Sequence, residues 1–286
     1  MNKTIYAIKG IICALLIVAI VWFVMPPALF LPSDVDVNEV GFGGKTQLHE
    51  AIKKKKCLED IKALLGKGAN INATTDNVYT PLHYAIIFHN HKDVAELLLA
   101  NGAKVNVKDK DGETPLHHAV IYDRKDVIAL LLAKGADINA RSKEGETPLH
   151  YAISYWRDDI VELLLANGAN VNAVDKRGNA PLHCTTHADI AKLLLDNEAK
   201  ANAKNEKGET PLHYAVELRY ALYIFDKERA EAKAIENCKR MVELLLKNGA
   251  KVDVVNSYQE TPLSLAKKQK NKEIQEILEN ALQKES

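Results

Sequence analysis

The chain has 286 residues, 47% of them hydrophobic, and equal numbers of basic and acidic side chains, 38 each, for a net charge of zero. That is enough apolar material for a sizeable core, and the charge balance argues against a general nucleic-acid binder, which needs a basic face. Cys13, Cys57, Cys184 and Cys238 form no Cys-x-x-Cys pair and no disulfide framework, so the three beyond the N-terminal stretch are expected to be free thiols.

Residues 1–30 differ from everything after them. Ile5 to Met25 is apolar except for Lys9. As a helix these 21 residues reach about 31 Å, enough to cross a bilayer core. Lys9 lies near one end, where it can snorkel to the headgroups, and Pro26 and Pro27 stop the helix. The segment reads as an uncleaved transmembrane anchor. A cleaved signal peptide stays open as the alternative, which would make the rest an exported soluble protein. Lys3, Lys9 and the apolar run Ile11–Met25 suit it, but Trp22–Pro27 offers no Ala-x-Ala-like cleavage site. Lys3 and Lys9 precede the span, and Asp34, Asp36 and Glu39 follow it. That bias places the N-terminus in the cytoplasm and the remainder across the membrane. Residues 31–44 read as a linker ending in Gly41-Phe-Gly-Gly44.

From residue 45 the chain repeats. Thr80-Pro-Leu-His-Tyr-Ala85, Thr114-Pro-Leu-His-His-Ala119, Thr147-Pro-Leu-His-Tyr-Ala152 and Thr210-Pro-Leu-His-Tyr-Ala215 are full copies of one motif. Weaker copies start at Thr46, Ala180 and Thr261, so successive starts lie 34, 34, 33, 33, 30 and 51 residues apart. A fixed period near 33 marks a stacked array in which no unit folds alone. Within a copy, Thr caps a helix whose first position is Pro. Gly112, Gly145 and Gly208, two residues before Thr, suit a turn of positive φ. A second apolar run follows, such as Val127–Leu132 or Ile160–Leu165, and then a terminating glycine: Gly102, Gly135, Gly168 or Gly249. One unit is helix, turn, helix and an extended loop.

Thr-Pro-Leu-His-x-Ala at this period closely resembles the ankyrin repeat, from about Thr46 to about Leu282. The resemblance implies an all-α solenoid of antiparallel helix pairs with β-hairpin-like fingers, occupying residues 45–286 and following the one transmembrane helix. It also implies a non-enzymatic scaffold that binds a protein partner, not yet identifiable, through its concave face and finger tips.

Four departures carry expectations of their own. Val78 stands where other repeats have the finger glycine, and its β-branched side chain predicts a differently bent tip. Repeat five lacks Thr at its cap, is three residues short and has Glu198 in place of the terminal glycine, which makes it the expected weak point. Repeat six runs 39 residues from Thr210 to Gly249, against 21 in repeats three and four. The extra 18 residues, within 217–240, have no Gly or Pro and predict two lengthened helices: one through about Ile224, a turn near Asp226, and one from about Glu228. Its tip, Tyr220 to Phe225, is apolar. Repeat seven, with Gln259 for the turn glycine and a polar last helix, reads as the C-terminal cap.

The histidines of the motif, His49, His83, His117, His150, His183 and His213, invite a metal reading. Equivalent residues of a solenoid are spread along its axis, whereas ligands must converge on one ion. They are therefore expected to be buried and bonded to backbone. His89 and His91 are near neighbours suited at most to weak chelation. No phosphate loop, Gly-x-Ser-x-Gly or His-Glu-x-x-His is present, and no cofactor is implied. Positions four and eight after Thr lie one helical turn apart. They read Tyr84/Phe88, His118/Tyr122, Tyr151/Tyr155 and Tyr214/Leu218, with Trp156 alongside. Together with Tyr223 and Phe225 of the insertion, these are candidate partner contacts, the alternative being that they pack as core.

Overall fold

The computed structural model describes residues 36–88, 92–216 and 227–285. Seven helix pairs follow one another: α1 Gln47–Lys53 and α2 Leu58–Gly66; α3 Pro81–Ile87 and α4 Lys92–Ala100; α5 Pro115–Ile121 and α6 Lys125–Ala133; α7 Pro148–Ser154 and α8 Asp158–Ala166; α9 Pro181–Cys184 and α10 Ala188–Asp196; α11 Pro211–Val216 and α12 Lys227–Lys247; α13 Pro262–Lys268 and α14 Lys272–Glu285. Each first helix packs on the first helix of the next repeat, forming an all-helical solenoid with no strand among the described residues. The anchor proposed for residues 5–25 lies outside the described residues. Among those described, no helix is long and apolar enough to cross a membrane.

The motif builds each first helix in a way that also joins it to the next repeat. Thr80, Thr114 and Thr147 are extended N-caps with Pro at the first helical position. The histidine three residues on reaches back. Its Nδ1 accepts the cap residue's backbone N–H at 3.0–3.2 Å in all six copies. It is a capping box with imidazole in the place usually held by a carboxylate. A backbone N–H can only donate, so the ring proton sits on Nε2. From there it is donated to a carbonyl of the next repeat: Tyr79 from His49, Glu146 from His117, Asn179 from His150, Glu209 from His183 and Glu260 from His213, at 3.1–3.3 Å. The leucine between Pro and His is buried in every copy, for example Leu82, Leu116 and Leu149.

Two further ladders run the length of the stack. Asn72, Asn106 and Asn202 each accept a backbone N–H from the next repeat through Oδ1 and donate Nδ2 to the carbonyl of that repeat's terminal glycine. Each finger also donates one backbone N–H to the finger before it, as in Lys110 to Asn77 and Lys143 to Asp111. Both ladders extend into the stretch read as a linker. Asn38 accepts Asn70 N–H at 2.7 Å and donates to the Gly68 carbonyl at 3.1 Å, and Asp76 N–H donates to the Gly43 carbonyl. From residue 36 onward the chain is therefore a docked first finger.

The finger tips correct one expectation. Gly112 has φ +75, and a Cβ there would meet the Lys143 backbone nitrogen at 2.7 Å. Val78 takes the same left-handed bend, at φ +63. Its turn is closed by Val78 N–H to the Thr75 carbonyl and Thr75 N–H to the Tyr79 carbonyl. The ladder fixes the backbone, and the valine adopts the strained conformation that results. Glu198 and Gln259 likewise sit at positive φ, +68 and +60, in the places of glycines.

Repeat five has a first helix of four residues, the shortest of the first helices. Helix α12 is described over 21 residues, Lys227–Lys247, where a helix from about Glu228 was expected. It packs along α10 of repeat five as well as on α14. Asn237 donates to the Thr186 carbonyl and accepts Ala188 N–H, and Arg240 pairs with Asp189 at 2.6 Å. The C-terminal part of the insertion thus braces the short repeat. The expected extension of the first helix, the turn at Asp226 and the apolar tip lie outside the described residues.

Candidate functional site

The structure divides the aromatic row by depth. Position four faces the neighbouring first helices. Tyr84 is buried edge-on against His49, with ring centroids 4.9 Å apart. His118 is also buried. Tyr151 is half-buried and donates its hydroxyl to Glu113 Oε1 at 2.5 Å. Burial, and then this bond, push the Tyr151 pKa far upward. Tyr214, also half-buried, bonds Asn179 at 3.2 Å. Position eight ends the helix and looks outward. Tyr122 and Tyr155 are the C-caps of α5 and α7, and with Trp156 they are 40–46% exposed. Phe88 is the exception: half-buried against Tyr84, with the Lys53 ammonium 5.8 Å from its ring. Leu218, Tyr223 and Phe225, like the His89/His91 pair, lie outside the described residues. Sequence reasoning treated the row as one surface. Tyr84 and His118 are packing residues, and Tyr122, Tyr155 and Trp156 form the accessible strip.

The strip is tied to what lies beneath it. Tyr155 stacks on Tyr151, 9° from parallel at 6.2 Å, and Tyr122 stacks on His118 at 6.4 Å. Trp156 lies across His187 at 4.3 Å. Its φ of +59 is a left-handed conformation. A bulky side chain there is strained by roughly 1–2 kcal/mol. Asp123, at the same place in repeat three, has φ +57.

Under the strip lies a polar cluster that no sequence motif announced. His118 Nε2 is 2.8 Å from Asp109 Oδ2 and 3.5 Å from Glu113 Oε2. Asp109 is held below the usual carboxylate range by hydrogen bonds from His118 and from the Glu113 and Asp111 backbone, against the opposing effect of burial. The motif histidines are all displaced downward, burial being the largest cause in each. His117 falls to about 4. His83 falls to about 3, lowered further by neighbouring His118. The Glu113 carbonyl opposes that shift, but it lies outside hydrogen-bond geometry, and His83 Nε2 has no partner. Glu113 comes one residue after Gly112 and His118 nine after Asp109, a spacing that only the folded finger turns into a cluster. They coincide in repeat three alone.

A family model for ankyrin repeats matches residues 19–109, 88–175 and 159–232. The chain is an ankyrin-repeat protein. The crystal structure of the ankyrin repeat domain of Bcl-3, described as a unique member of the IkappaB protein family, is similar to it, with a TM-score of 0.67 and 27% identity. That likeness covers 82% of this chain and 99% of the other. A search of curated proteins gives no match. Ankyrin repeats are protein-interaction scaffolds.

Proposed function

We propose that this ankyrin-repeat protein is a membrane-tethered scaffold that holds a protein partner across its first helices, with Tyr122, Tyr155 and Trp156 as anchors and the charged finger tips at the edge. The observation that carries the reading is Trp156. A large aromatic side chain held exposed in a left-handed conformation has a folding cost, and glycine would remove it. Retention at that cost fits a contact residue, and Trp and Tyr dominate interface hot spots. The tether rests on the apolar run Ile5–Met25. Ten residues separate Met25 from Asp36, where the docked finger begins. Fully extended they reach about 35 Å, so the anchor keeps the first repeat close to the bilayer.

The test is proximity cross-linking in native membranes with two variants. Trp156→Gly retains or raises the melting temperature and weakens capture of the partner. The triple change of Tyr122, Tyr155 and Trp156 to Ala abolishes capture while helicity is retained. Capture unchanged in both variants would overturn the reading. For the tether, protease applied on the far side of sealed membranes digests the repeats and leaves a fragment of about 30 residues, the length of the N-terminal segment. A mature N-terminus beyond Pro27 would show a cleaved signal peptide instead.

A further inference from the structure

The finger of repeat three differs from those around it in chemistry, and the difference gathers three ligand-type side chains. Asp109 opens this finger. Its Oδ1 accepts the backbone N–H groups of Asp111 and Glu113 at 2.8 and 2.9 Å, which fixes the carboxylate and turns Oδ2 toward His118 Nε2, 2.8 Å away. Glu113 closes the finger. Tyr151 holds its Oε1 at 2.5 Å, leaving Oε2 3.5 Å from the same Nε2. Each carboxylate is pinned by one oxygen and aims the other at one point. One donor atom from each of the three residues lies within 4.8 Å of the others. Ligands on a tetrahedral zinc-type ion, at bonds of about 2.0–2.1 Å, are about 3.3 Å apart.

A hydrogen-bonded brace accounts for this geometry incompletely. A neutral imidazole offers one proton at Nε2, and Asp109 takes it at 2.8 Å, which leaves Glu113 Oε2 without a donor at bonding distance. The side chains of Asp109 and His118 are 1% and 6% exposed and that of Glu113 is 16%. Neither carboxylate has a lysine or arginine partner among the described residues. Two carboxylates shielded to this degree call for positive charge. His118 Nδ1 is itself buried with no partner. Repeat six shows how the same place closes without an ion. Asn205 stands for Asp109, and its Nδ2 donates to Glu209 Oε2 at 3.0 Å and to Asn179 Oδ1 at 2.9 Å, while Tyr214 stands for His118. There an amide donor meets the acceptors. In repeat three an acceptor replaces the donor, and two carboxylates face the single proton of one imidazole nitrogen.

We infer that Asp109, Glu113 and His118 form a binding site for a divalent first-row transition-metal cation of the zinc class, which takes Asp109 Oδ2, Glu113 Oε2 and His118 Nε2 as ligands. Two carboxylates and one imidazole suit zinc or cobalt better than an all-oxygen magnesium or calcium site. The ion joins both ends of the finger to α5 and, through Tyr151, to repeat four. Tyr122 stacks on the ligand histidine, so the site also steadies part of the accessible strip. The site requires no partner, so its test is separate from that of the scaffold reading.

The experiment titrates the full chain, stripped of metal in detergent micelles, with cobalt chloride and follows the visible d–d absorption, then displaces cobalt with zinc chloride. The expected result is one equivalent bound, with displacement by zinc. Asp109→Asn and Glu113→Gln abolish the absorption. Asn205 accepts backbone N–H from Lys207 and Glu209 in the same way, so Asp109→Asn keeps the finger, and unchanged helicity checks this. Tyr151→Phe, which frees Glu113, weakens binding about tenfold or more. The double change His89→Gln and His91→Gln leaves the absorption intact. No saturable binding by the wild type, undiminished binding by the Asp109→Asn/Glu113→Gln double variant, or loss of binding in the His89/His91 variant would each overturn the assignment.

Discussion

Repeats four and five start with nearly the same residues and diverge within one turn. Both bury the motif leucine, Leu149 and Leu182, and both close their caps through the motif histidine, His150 and His183. In repeat four α7 runs seven residues and ends at Tyr155; in repeat five α9 runs four and ends at Thr185, in extended conformation. The distance from cap to second helix explains the difference. Thr147 to Asp158 is 11 residues and Ala180 to Ala188 is eight, so three residues that would complete the first helix are missing. The ladder contacts survive nonetheless: His183 reaches Glu209, and Asn172 bonds Glu198 and Lys200. What fixes a repeat in this stack is its bonds to the next repeat, and helix length is secondary. The lost turn is offset by Asn237 and Arg240 of α12, which come from the following repeat.

Acid should erase the distinction. His117, His150 and His183 all have lowered pKa values in the fold. A lowered histidine pKa means that the folded state binds fewer protons, so its contribution is fully present above the unfolded value near 6.5 and is lost as pH falls toward the folded value. For His117, between 6.5 and about 4, the loss reaches about 3 kcal/mol. Denaturant midpoints measured from pH 7 to pH 4 should fall steeply, and hydrogen exchange should show repeats four and five opening together. A midpoint flat across that range would mean that the histidines are not held neutral.

Removing the brace should sharpen the contrast. Asn237→Ala leaves the Thr186 carbonyl and Ala188 N–H without their partner, at about 2 kcal/mol. Hydrogen exchange should rise in repeat five and little in repeat three. Uniform exchange through the stack would mean that α12 supports the whole array. Restoring the cap should blunt the contrast. Ala180→Thr supplies the hydroxyl that Thr147 and Thr210 place 2.9 Å from their histidines, and thermal melting should show a gain of about 1 kcal/mol. The smallest effect is expected in repeat two. Val78→Gly relieves the left-handed valine but adds unfolded-state freedom, for a net gain of about 0.5 kcal/mol. A loss of stability there would show that the valine side chain packs usefully across the finger.

The helix starts were legible because capping is local. Thr, Pro and His act within four residues, and the sequence carries all of them. The fate of the aromatic row was half legible. A spacing of four places Tyr151 and Tyr155 on one face, but whether a ring is covered depends on the neighbouring repeat, which covers Tyr84 and His118 and leaves Tyr122 and Trp156 open. Val78 shows the limit of propensity, since the ladder imposed a bend that valine disfavours. The Asp109–Glu113–His118 cluster was not legible, because the finger residues and the helix residue meet only after the finger folds back over α5.

The sequence by itself determined the period, the start of each first helix, the identity of the fold and the insertion in repeat six. All of these follow from residues acting on neighbours a few positions away or from simple recurrence. Only the tertiary structure decided that residues 36–44 are a docked finger, that α12 supports repeat five, which aromatic side chains remain accessible, and that two carboxylates and a histidine converge in repeat three. Those outcomes depend on contacts between groups roughly thirty to fifty residues apart, or on the folding of a loop over a helix, and no local pattern of residue types encodes which partner the stack will bring near.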